Sequence, residues 1–365
     1  MNFRRGLIRA LLTGGYSIVA LVPPDDANSG LEQMGISVRT VPMSPRGISP
    51  LSDLRLLLSY KKHFKDLRPA AFLGFTAKPN IYGSIAARRR RIPVIANVTG
   101  LGTGFLSGRM LEFVQSRLYR IALADATKVL FHNPEDRDLF LSNGLVKAAR
   151  SEVIPGSGVD LEYFDVRPSA GNVEPVFLFI GRFLKDKGIV EFVEAARQVK
   201  KERPGVRLRA LGSAEFHPRS VPAELVAQWQ QEGVVEFLGS TDDVRPFIAQ
   251  ADCVVLPSYR EGLPRALLEA SAMAKAVIGS DVPGCRHVVD EEVTGFLCAP
   301  RSAPSLASVM IRFANLSPDR RVSMGLEARR RAERQFGEQR VIKSYIAALG
   351  TMLPEPRSND NGLVL

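Results

Sequence analysis

Short apolar segments alternate with longer amphipathic segments along most of this chain, and this alternation constrains the fold more than any other feature. The apolar segments are rich in β-branched and aromatic residues, whereas the segments between them have helical spacing. The predicted strands are residues 17–22, 71–75, 94–98, 128–131, 176–180, 207–211, 234–238, 253–257 and 276–279. Nearly continuous apolar strands joined by helices predict parallel sheets covered on both faces, an α/β doubly wound architecture.

The domain organisation is also predicted from length and composition. The chain has 365 residues, of which 45% are hydrophobic, enough for two domains of ordinary size. Residues 168–175, which begin and end with proline, interrupt the pattern and predict a linker. We therefore expect an N-terminal domain over 1–166, a C-terminal domain over 167–336, a helix over 337–353 packing back on the N-terminal domain, and a disordered tail over 354–365.

The first residues depart from the usual order of a doubly wound domain. Residues 3–12 have helical spacing and lead through Gly14 and Gly15 to the strand at 17–22. Such a domain ordinarily opens with a strand and a loop before its first helix. We therefore expect the N-terminal domain to lack its first strand, as it would if the start codon were assigned too late or the chain truncated.

Charge and hydropathy restrict the partners. The net charge is +11, and residues 1–165 carry 22 Lys and Arg against 14 Asp and Glu, including the run 88–91. A basic surface suits nucleic acid, anionic lipid or a phosphate-bearing substrate, but no nucleic-acid-binding module is recognisable. No secretory signal or apolar run of about 20 residues is present, which predicts a cytoplasmic protein. The three cysteines lack metal-like spacing, so reduced thiols are expected.

Cationic side chains follow the first predicted strand of the second half. Arg182 and Lys187 lie in a loop that runs from the strand at 176–180 to Gly188 and the next helix. A planar guanidinium fork and a compact ammonium charge are together suited to one phosphate group.

Two glutamates flank a helix start further along. Glu261 precedes Gly262, Leu263 and Pro264, and proline is favoured in a first helical turn. Such a helix start attracts anions, and Glu261 could itself be no more than a favourable charge there. Glu269 lies among alanines and leucines, where a carboxylate needs a partner. That partner could be a buried cation or ligand hydroxyl groups, and we favour the hydroxyl groups.

These residues together resemble the retaining GT-B glycosyltransferases of family 4. The motifs are Arg182 with Lys187, Glu261 with Glu269, and residues 158–164, 281–286 and 293–297. In the first half, residues 2–5, 78–83 and 95–102 are similar to bacterial enzymes that extend a sugar chain on undecaprenyl diphosphate, for capsule, O-antigen or glycoprotein glycan.

The resemblance implies a role for each donor-site residue. Arg182 and Lys187 would hold the donor diphosphate with the amides of Gly262 and Leu263, Glu261 would contact the donor sugar, and Glu269 would bind the ribose. Arg182, Lys187 and Glu261 are thus the expected catalytic residues.

On the acceptor side, Lys78, Asn97 and Thr99 are candidate residues. Many relatives carry a histidine in the loop that includes residues 97–102, and this chain does not. No catalytic base is therefore assigned.

The implied activity is transfer of a hexose or N-acetylhexosamine, with retention, from a nucleotide-diphosphate sugar, expected to be UDP-linked. The acceptor would be a lipid-diphosphate-linked saccharide in surface polysaccharide or glycan synthesis. No cofactor or metal ion is expected, and the enzyme would be peripheral on the cytoplasmic face of the inner membrane, attached to its anionic surface.

The sequence leaves several functions and sites open. Asp136 and Asp138 imitate the metal-binding pair of GT-A transferases, but they follow a predicted helix start, where acids are common. Residues 100–104 imitate a dinucleotide fingerprint with the third glycine one residue early. The residues also fit a nucleotide-sugar epimerase of similar fold, or an inactive, truncated nucleotide-sugar-binding protein.

Overall fold

The computed structural model describes residues 4–24, 29–43, 49–101, 109–166, 172–214, 219–353 and 362–365. The chain forms two compact units, one comprising residues 1–157 and 338–365 and the other residues 158–337. The boundary therefore comes at 157, earlier in the chain than the predicted 166, and the predicted linker at 168–175 lies within the second unit, with 167–171 outside the described residues. The helix after residue 337 belongs to the first unit.

The described strands and helices alternate over most of the chain. The strands are β1 Ser17–Val22, β2 Ser37–Thr40, β3 Ala71–Phe75, β4 Val94–Val98, β5 Lys128–Phe131, β6 Ser151–Val153, β7 Val176–Ile180, β8 Arg207–Leu211, β9 Glu236–Phe237, β10 Cys253–Leu256, β11 Ala276–Ser280, β12 Gly295–Cys298 and β13 Gly362–Val364. The α-helices are α1 Arg5–Thr13, α2 Ser29–Glu32, α3 Pro50–Leu67, α4 Ser84–Arg88, α5 Arg109–Leu123, α6 Pro134–Ser142, α7 Ile189–Glu202, α8 Ala223–Glu232, α9 Arg245–Gln250, α10 Arg265–Ala272, α11 Cys285–Val288, α12 Ala303–Ala314, α13 Pro318–Gln335 and α14 Glu338–Gly350.

The first unit contains a seven-stranded parallel sheet in the order β2-β1-β13-β3-β4-β5-β6. The position between β1 and β3, which the opening strand of a doubly wound sheet ordinarily takes, is occupied by β13. Leu363 and Val364 of β13 are fully buried and face opposite sides of the sheet. The predicted disorder of the tail is therefore wrong for residues 362–364, because flanking strands satisfy their backbone and side chains; residues 354–361 lie outside the described part of the chain.

Aromatic packing covers one face of this sheet. Tyr60 and Phe64 lie one turn apart on α3, and both rings contact Phe72 of β3, at centroid distances of 5.8 and 5.2 Å. The spacing of four residues places both rings on one helix face. This helix face and β3 therefore form part of one hydrophobic core of the first unit.

The second unit contains a six-stranded parallel sheet in the order β12-β11-β10-β7-β8-β9. Counted within this unit, the order is that of a dinucleotide-binding fold, in which the strand order reverses between the first strand and the fourth. Those strands are β7 and β10. Ligands of such sheets bind outside the carboxyl ends of the strands at this reversal, and the loops after β7 and β10 carry the predicted donor-site residues.

Candidate functional site

The loops that follow β7 and β10 are held together by their backbones. Gly188, which ends the turn Lys185–Lys187, has a φ of 75°, and a Cβ atom there would collide with the Pro257 carbonyl group. The Tyr259 amide donates a hydrogen bond to the Asp186 carbonyl oxygen at 2.9 Å. Only glycine allows this close approach, which sets Lys187 beside the loop that carries Glu261.

Lys187 and Glu261 form an ion pair across these two loops. The Lys187 Nζ lies 2.5 Å from the Glu261 Oε1, and their side chains are 28% and 12% exposed. The structure therefore brings together two residues that the sequence separates widely. An ammonium and a carboxylate at the open edge of the sheet can hold an anionic group and a hydroxyl-bearing group, respectively.

A second glycine fixes the backbone of Glu261. Gly284, at the start of α11, has a φ of 85°, and a Cβ atom there would lie 2.6 Å from the Glu261 carbonyl oxygen and 2.7 Å from that of Gly262. Helix α10 begins at Arg265, with the buried Pro264 as its N-cap, so Pro264 lies just before the helix instead of in its first turn. Gly262 and Leu263 are buried in the same loop.

Glu269 is paired with a cation of its own helix. The Glu269 Oε1 accepts hydrogen bonds from the Arg265 Nε at 3.0 Å and Nη2 at 2.7 Å, and its side chain is 12% exposed. Desolvation raises the pKa of Glu269, and the charge of Arg265 opposes that rise without cancelling it. The structure thus contains an ion pair between Glu269 and Arg265, the first of the two alternatives considered for this carboxylate. The ribose role stays a prediction.

Arg182 lies exposed in the loop directly after β7. Its neighbour Gly181 packs closely against Gly212 at the end of β8, where a Cβ atom would collide with the Gly181 carbonyl group. The loop is thereby supported from the adjacent strand. Arg182 therefore follows the carboxyl end of β7, and the contact of its guanidinium with a phosphate group stays a prediction.

Contacts among three residues near this edge were not predicted from the sequence. The Tyr259 hydroxyl donates a hydrogen bond to the Glu191 Oε1 at 2.6 Å, and the Arg301 guanidinium lies 4.7 Å from the centre of the Tyr259 ring. Glu191 is 9% exposed and lies in the first turn of α7. This contact ties the loop carrying Glu261 to the helix that follows Lys187. In the sequence, this contact could have been suspected from an acidic residue between apolar residues, three positions after Gly188.

The acceptor candidates of the first unit have contacts within that unit. The Lys78 Nζ pairs with the Asp53 Oδ1 at 2.9 Å, and the fully buried Asn97 donates from its Nδ2 to the Tyr345 hydroxyl at 2.5 Å. Thr99, at the end of β4, is half-buried. Among the described residues, no side-chain hydrogen bond or ion pair of Thr99 is present, and all three assignments stay predictions.

The acid pair that resembled a metal site belongs to a helix start. The Asn133 Oδ1 caps α6 by accepting from the Asp136 amide at 2.8 Å, and Asp136 is fully buried, whereas the Asp138 side chain is 69% exposed. Within the described ranges, no group of three or more His, Cys, Asp or Glu residues is arranged to hold a metal ion. Most of the glycine-rich segment at 100–104 lies outside the described residues.

No helix in the described part of the chain combines the length and the apolar character needed to cross a bilayer.

Two family models and several known proteins match the sequence of this chain. Residues 2–156 match the model described as glycosyl transferase 4-like domain, and residues 174–315 match the model described as glycosyl transferases group 1. The N,N'-diacetylbacillosaminyl-diphospho-undecaprenol alpha-1,3-N-acetylgalactosaminyltransferase of Campylobacter jejuni is 26% identical over 94% of each chain. The UDP-Gal:alpha-D-GlcNAc-diphosphoundecaprenol alpha-1,3-galactosyltransferase of Escherichia coli is 27% identical over 74% of this chain and 73% of that one.

Solved structures share the fold. Anabaena HepE, determined in complex with UDP and glucose, has a TM-score of 0.77 at 21% identity and covers 97% of this chain and 96% of its own. A glycosyltransferase from Rickettsia africae has a TM-score of 0.75 at 18% identity and covers 97% of this chain and 95% of its own. Both show the predicted GT-B fold.

These matches decide between the functions that the sequence left open. The two family models together match well over half of the chain, and both describe glycosyltransferases, not epimerases or dinucleotide-dependent enzymes. The first domain was expected to lack its opening strand, and the position that this strand ordinarily takes in the sheet is filled by β13. This chain therefore belongs to the group 1 glycosyltransferases, with a first domain of the 4-like type and the GT-B fold.

Proposed function

We propose that the protein transfers a hexose or N-acetylhexosamine, with retention, from a UDP-linked sugar to a lipid-diphosphate-linked saccharide. The observation that carries this proposal is the placement of Lys187, Glu261 and the start of α10 together at the strand-order reversal of the second sheet. The names of the Campylobacter and Escherichia relatives, both transferases acting on sugars linked to diphosphoundecaprenol, support this acceptor class.

In this proposal, the second domain stabilises the departing nucleoside diphosphate. Cleavage of the sugar–phosphate bond leaves an additional negative charge on the diphosphate. Arg182, Lys187 and the amides of Gly262 and Leu263 would donate to its oxygens. Preorganised donors of this kind lower the barrier because they are strongest where charge develops, each by about 10²–10³-fold in rate.

The two glutamates would bind hydroxyl groups of the donor. Glu261, beside Lys187, would accept from hydroxyls of the transferred sugar, and Glu269, in the first turns of α10, from the ribose. Neither acts as a base. Because the cations Arg182 and Lys187 neutralise the diphosphate, the reaction as proposed needs no metal ion.

The acceptor hydroxyl would attack from the face that the diphosphate leaves, through an oxocarbenium-like state, which retains the configuration at the anomeric carbon. Lys78, Asn97 and Thr99 remain the proposed acceptor residues of the first domain. Of these, the half-buried Thr99 is the one we expect to contact the saccharide directly.

We further propose that the enzyme binds the anionic cytoplasmic face of the inner membrane through one surface of the first domain. We define the α3/α5 surface as the outward faces of these two helices, both of which contact the segment formed by Pro79–Gly83 and α4. Its exposed apolar side chains are Leu51, Leu54, Leu58, Met110, Phe113, Val114 and Ile121. Exposed basic residues on the same helices include Lys62, Lys65, Arg117 and Arg120. Apolar side chains flanked by Lys and Arg suit an anionic bilayer surface.

A direct assay tests the proposed reaction. The protein is incubated with UDP-glucose, UDP-galactose and their N-acetyl derivatives together with a lipid-diphosphate-linked N-acetylhexosamine, with and without EDTA. We expect one donor to add one sugar, seen by mass spectrometry, with an α anomeric signal by NMR and unchanged turnover in EDTA. A β product contradicts retention, loss of turnover in EDTA contradicts a metal-independent reaction, and hydrolysis of the donor without transfer contradicts the acceptor class.

A further inference from the structure

The cation proposed to hold the diphosphate already has an anionic partner in the protein. Lys187 Nζ is in contact with Glu261 Oε1, and the backbones beneath both side chains are fixed, Lys187 by the Gly188–Pro257 contact and Glu261 by the Gly284 contact. A diphosphate that reaches Lys187 therefore brings its oxygens next to the Glu261 carboxylate. Like charges at such a distance repel, most strongly where, as here, the pair is partly buried.

The sugar on the donor changes this balance. Its hydroxyl groups can donate hydrogen bonds to Glu261, which offsets the loss of the carboxylate's contact with Lys187. A bare nucleoside diphosphate has no such hydroxyls near its terminal phosphate. It also carries more negative charge there, because the oxygen that was esterified to the sugar is now an ionisable phosphate oxygen with a pKa near 6. The sugar nucleotide thus replaces the contact that Glu261 loses with Lys187 by hydrogen bonds from its hydroxyl groups, whereas the bare nucleoside diphosphate does not.

We propose that Glu261 is a specificity-determining residue that disfavours bare nucleoside diphosphate relative to the sugar nucleotide by competing for Lys187. This inference rests on the proposed function, since it takes the diphosphate to bind at Lys187. It assigns the Lys187–Glu261 pair a role in the release of the nucleoside diphosphate after transfer, when re-formation of the pair displaces the product.

Calorimetry with UDP and with the UDP-sugar accepted in the assay tests this proposal. Glu261→Gln keeps the shape of the side chain and removes its charge. We expect Glu261→Gln to bind UDP about fivefold more tightly than the wild type, the size of effect expected for a partly exposed ion pair. The sugar nucleotide should gain less or bind more weakly, so the preference for sugar nucleotide over UDP falls. Glu232→Gln, which removes the carboxylate from the exposed pair with Arg197, is the matched control and should change neither affinity.

A double-mutant cycle with Lys187→Gln guards against an indirect effect. Lys187→Gln should weaken UDP binding, and in that background Glu261→Gln should tighten it less than in the wild type, because only the direct repulsion between Glu261 and the diphosphate remains to be removed. Tightening that is equally large without Lys187, or equal or weaker binding of UDP by Glu261→Gln than by the wild type, overturns the inference while leaving a donor site in place. Absence of binding of any nucleotide to the wild-type protein overturns the proposed function together with this inference.

Discussion

Val364 of β13 pairs in parallel register with Phe72 of β3, in the middle of the first domain's sheet. On its other side, β13 pairs with β1, and the Leu365 amide donates to the Val19 carbonyl oxygen at 3.0 Å. Three residues far from β1 and β3 in the sequence therefore join two parts of a single sheet. This arrangement makes the stability of the first domain depend on the buried side chains of β13.

Leu363→Ala tests this dependence. The Leu363 side chain is fully buried in the core that it shares with Leu11 and Tyr345. Its truncation should lower the free energy of unfolding by about 2–4 kcal/mol, because lost transfer free energy and a cavity add. Urea unfolding followed by circular dichroism measures the change. Leu51→Ala, at a leucine that is 61% exposed, is the control and should have little effect; equal stability of both variants contradicts the central position of β13.

The bounds of several strands could be predicted from the sequence. Strands β7 and β8 match the prediction at both ends because helices cover both faces of a parallel sheet, so the apolar run ends where the strand ends. By contrast, β6 and β13 have three residues each and show no period, and β13 follows a polar segment. Their formation depends on neighbouring strands, which no local pattern encodes.

The candidate site was predictable to different degrees. The partner of Glu269 lies four residues earlier in the same helix, and a cation at that spacing could be read from the sequence as one of two interpretations. The contact between Lys187 and Glu261 could be expected only through the resemblance to a family. Their loops meet because β7 and β10 are neighbours in the sheet, and strand order is set by the topology of the whole domain.

Glu269→Gln separates the ribose role from a structural one. Burial raises the pKa of Glu269 despite Arg265, so burial disfavours the charged form of this carboxyl group. A raised pKa in the folded state means that this group's stabilising contribution is complete at low pH and is lost as the pH rises through that pKa. We therefore expect Glu269→Gln to melt at the same temperature as the wild type or higher at pH 7, with a smaller difference at acid pH, while its affinity for UDP falls about tenfold or more.

Trp229, the one tryptophan of the chain, is buried in the second domain, so its fluorescence follows unfolding there. UDP affinity is measured by calorimetry on the same samples. A lower melting temperature combined with unchanged UDP affinity would assign Glu269 to the Arg265 ion pair alone and contradict the ribose role.

The α3/α5 surface should determine binding to lipid vesicles. Leu54→Ser combined with Leu58→Ser and Phe113→Ser should abolish most sedimentation with phosphatidylglycerol vesicles, because these side chains, 51%, 53% and 62% exposed, supply the apolar part of the surface. Replacement of Arg88–Arg91 by serine removes positive charges that attract the anionic vesicle surface. Because salt screens this attraction, the replacement should weaken sedimentation mainly at low salt. Ile346→Ser with Leu326→Ser, at two exposed apolar side chains outside this surface, is the control. Sedimentation unaffected by the three serines contradicts the proposed surface.

His132 should make the first domain sensitive to acid. The side chain follows β5 and is 7% exposed; desolvation, and to a smaller extent the charge of Arg4, lower its pKa from 6.5 to about 3. A lowered pKa in the folded state means that the contribution to stability is complete above pH 6.5 and is lost as the pH falls towards 3. The free energy of unfolding should therefore fall by about 1.4 kcal/mol per pH unit from this group below about pH 6.5.

Urea unfolding at about pH 7, 6 and 5 measures the slope of the free energy of unfolding against pH. His132→Gln should have a shallower slope than the wild type. Identical slopes for the two proteins would show that the pKa of His132 is not lowered in the folded domain.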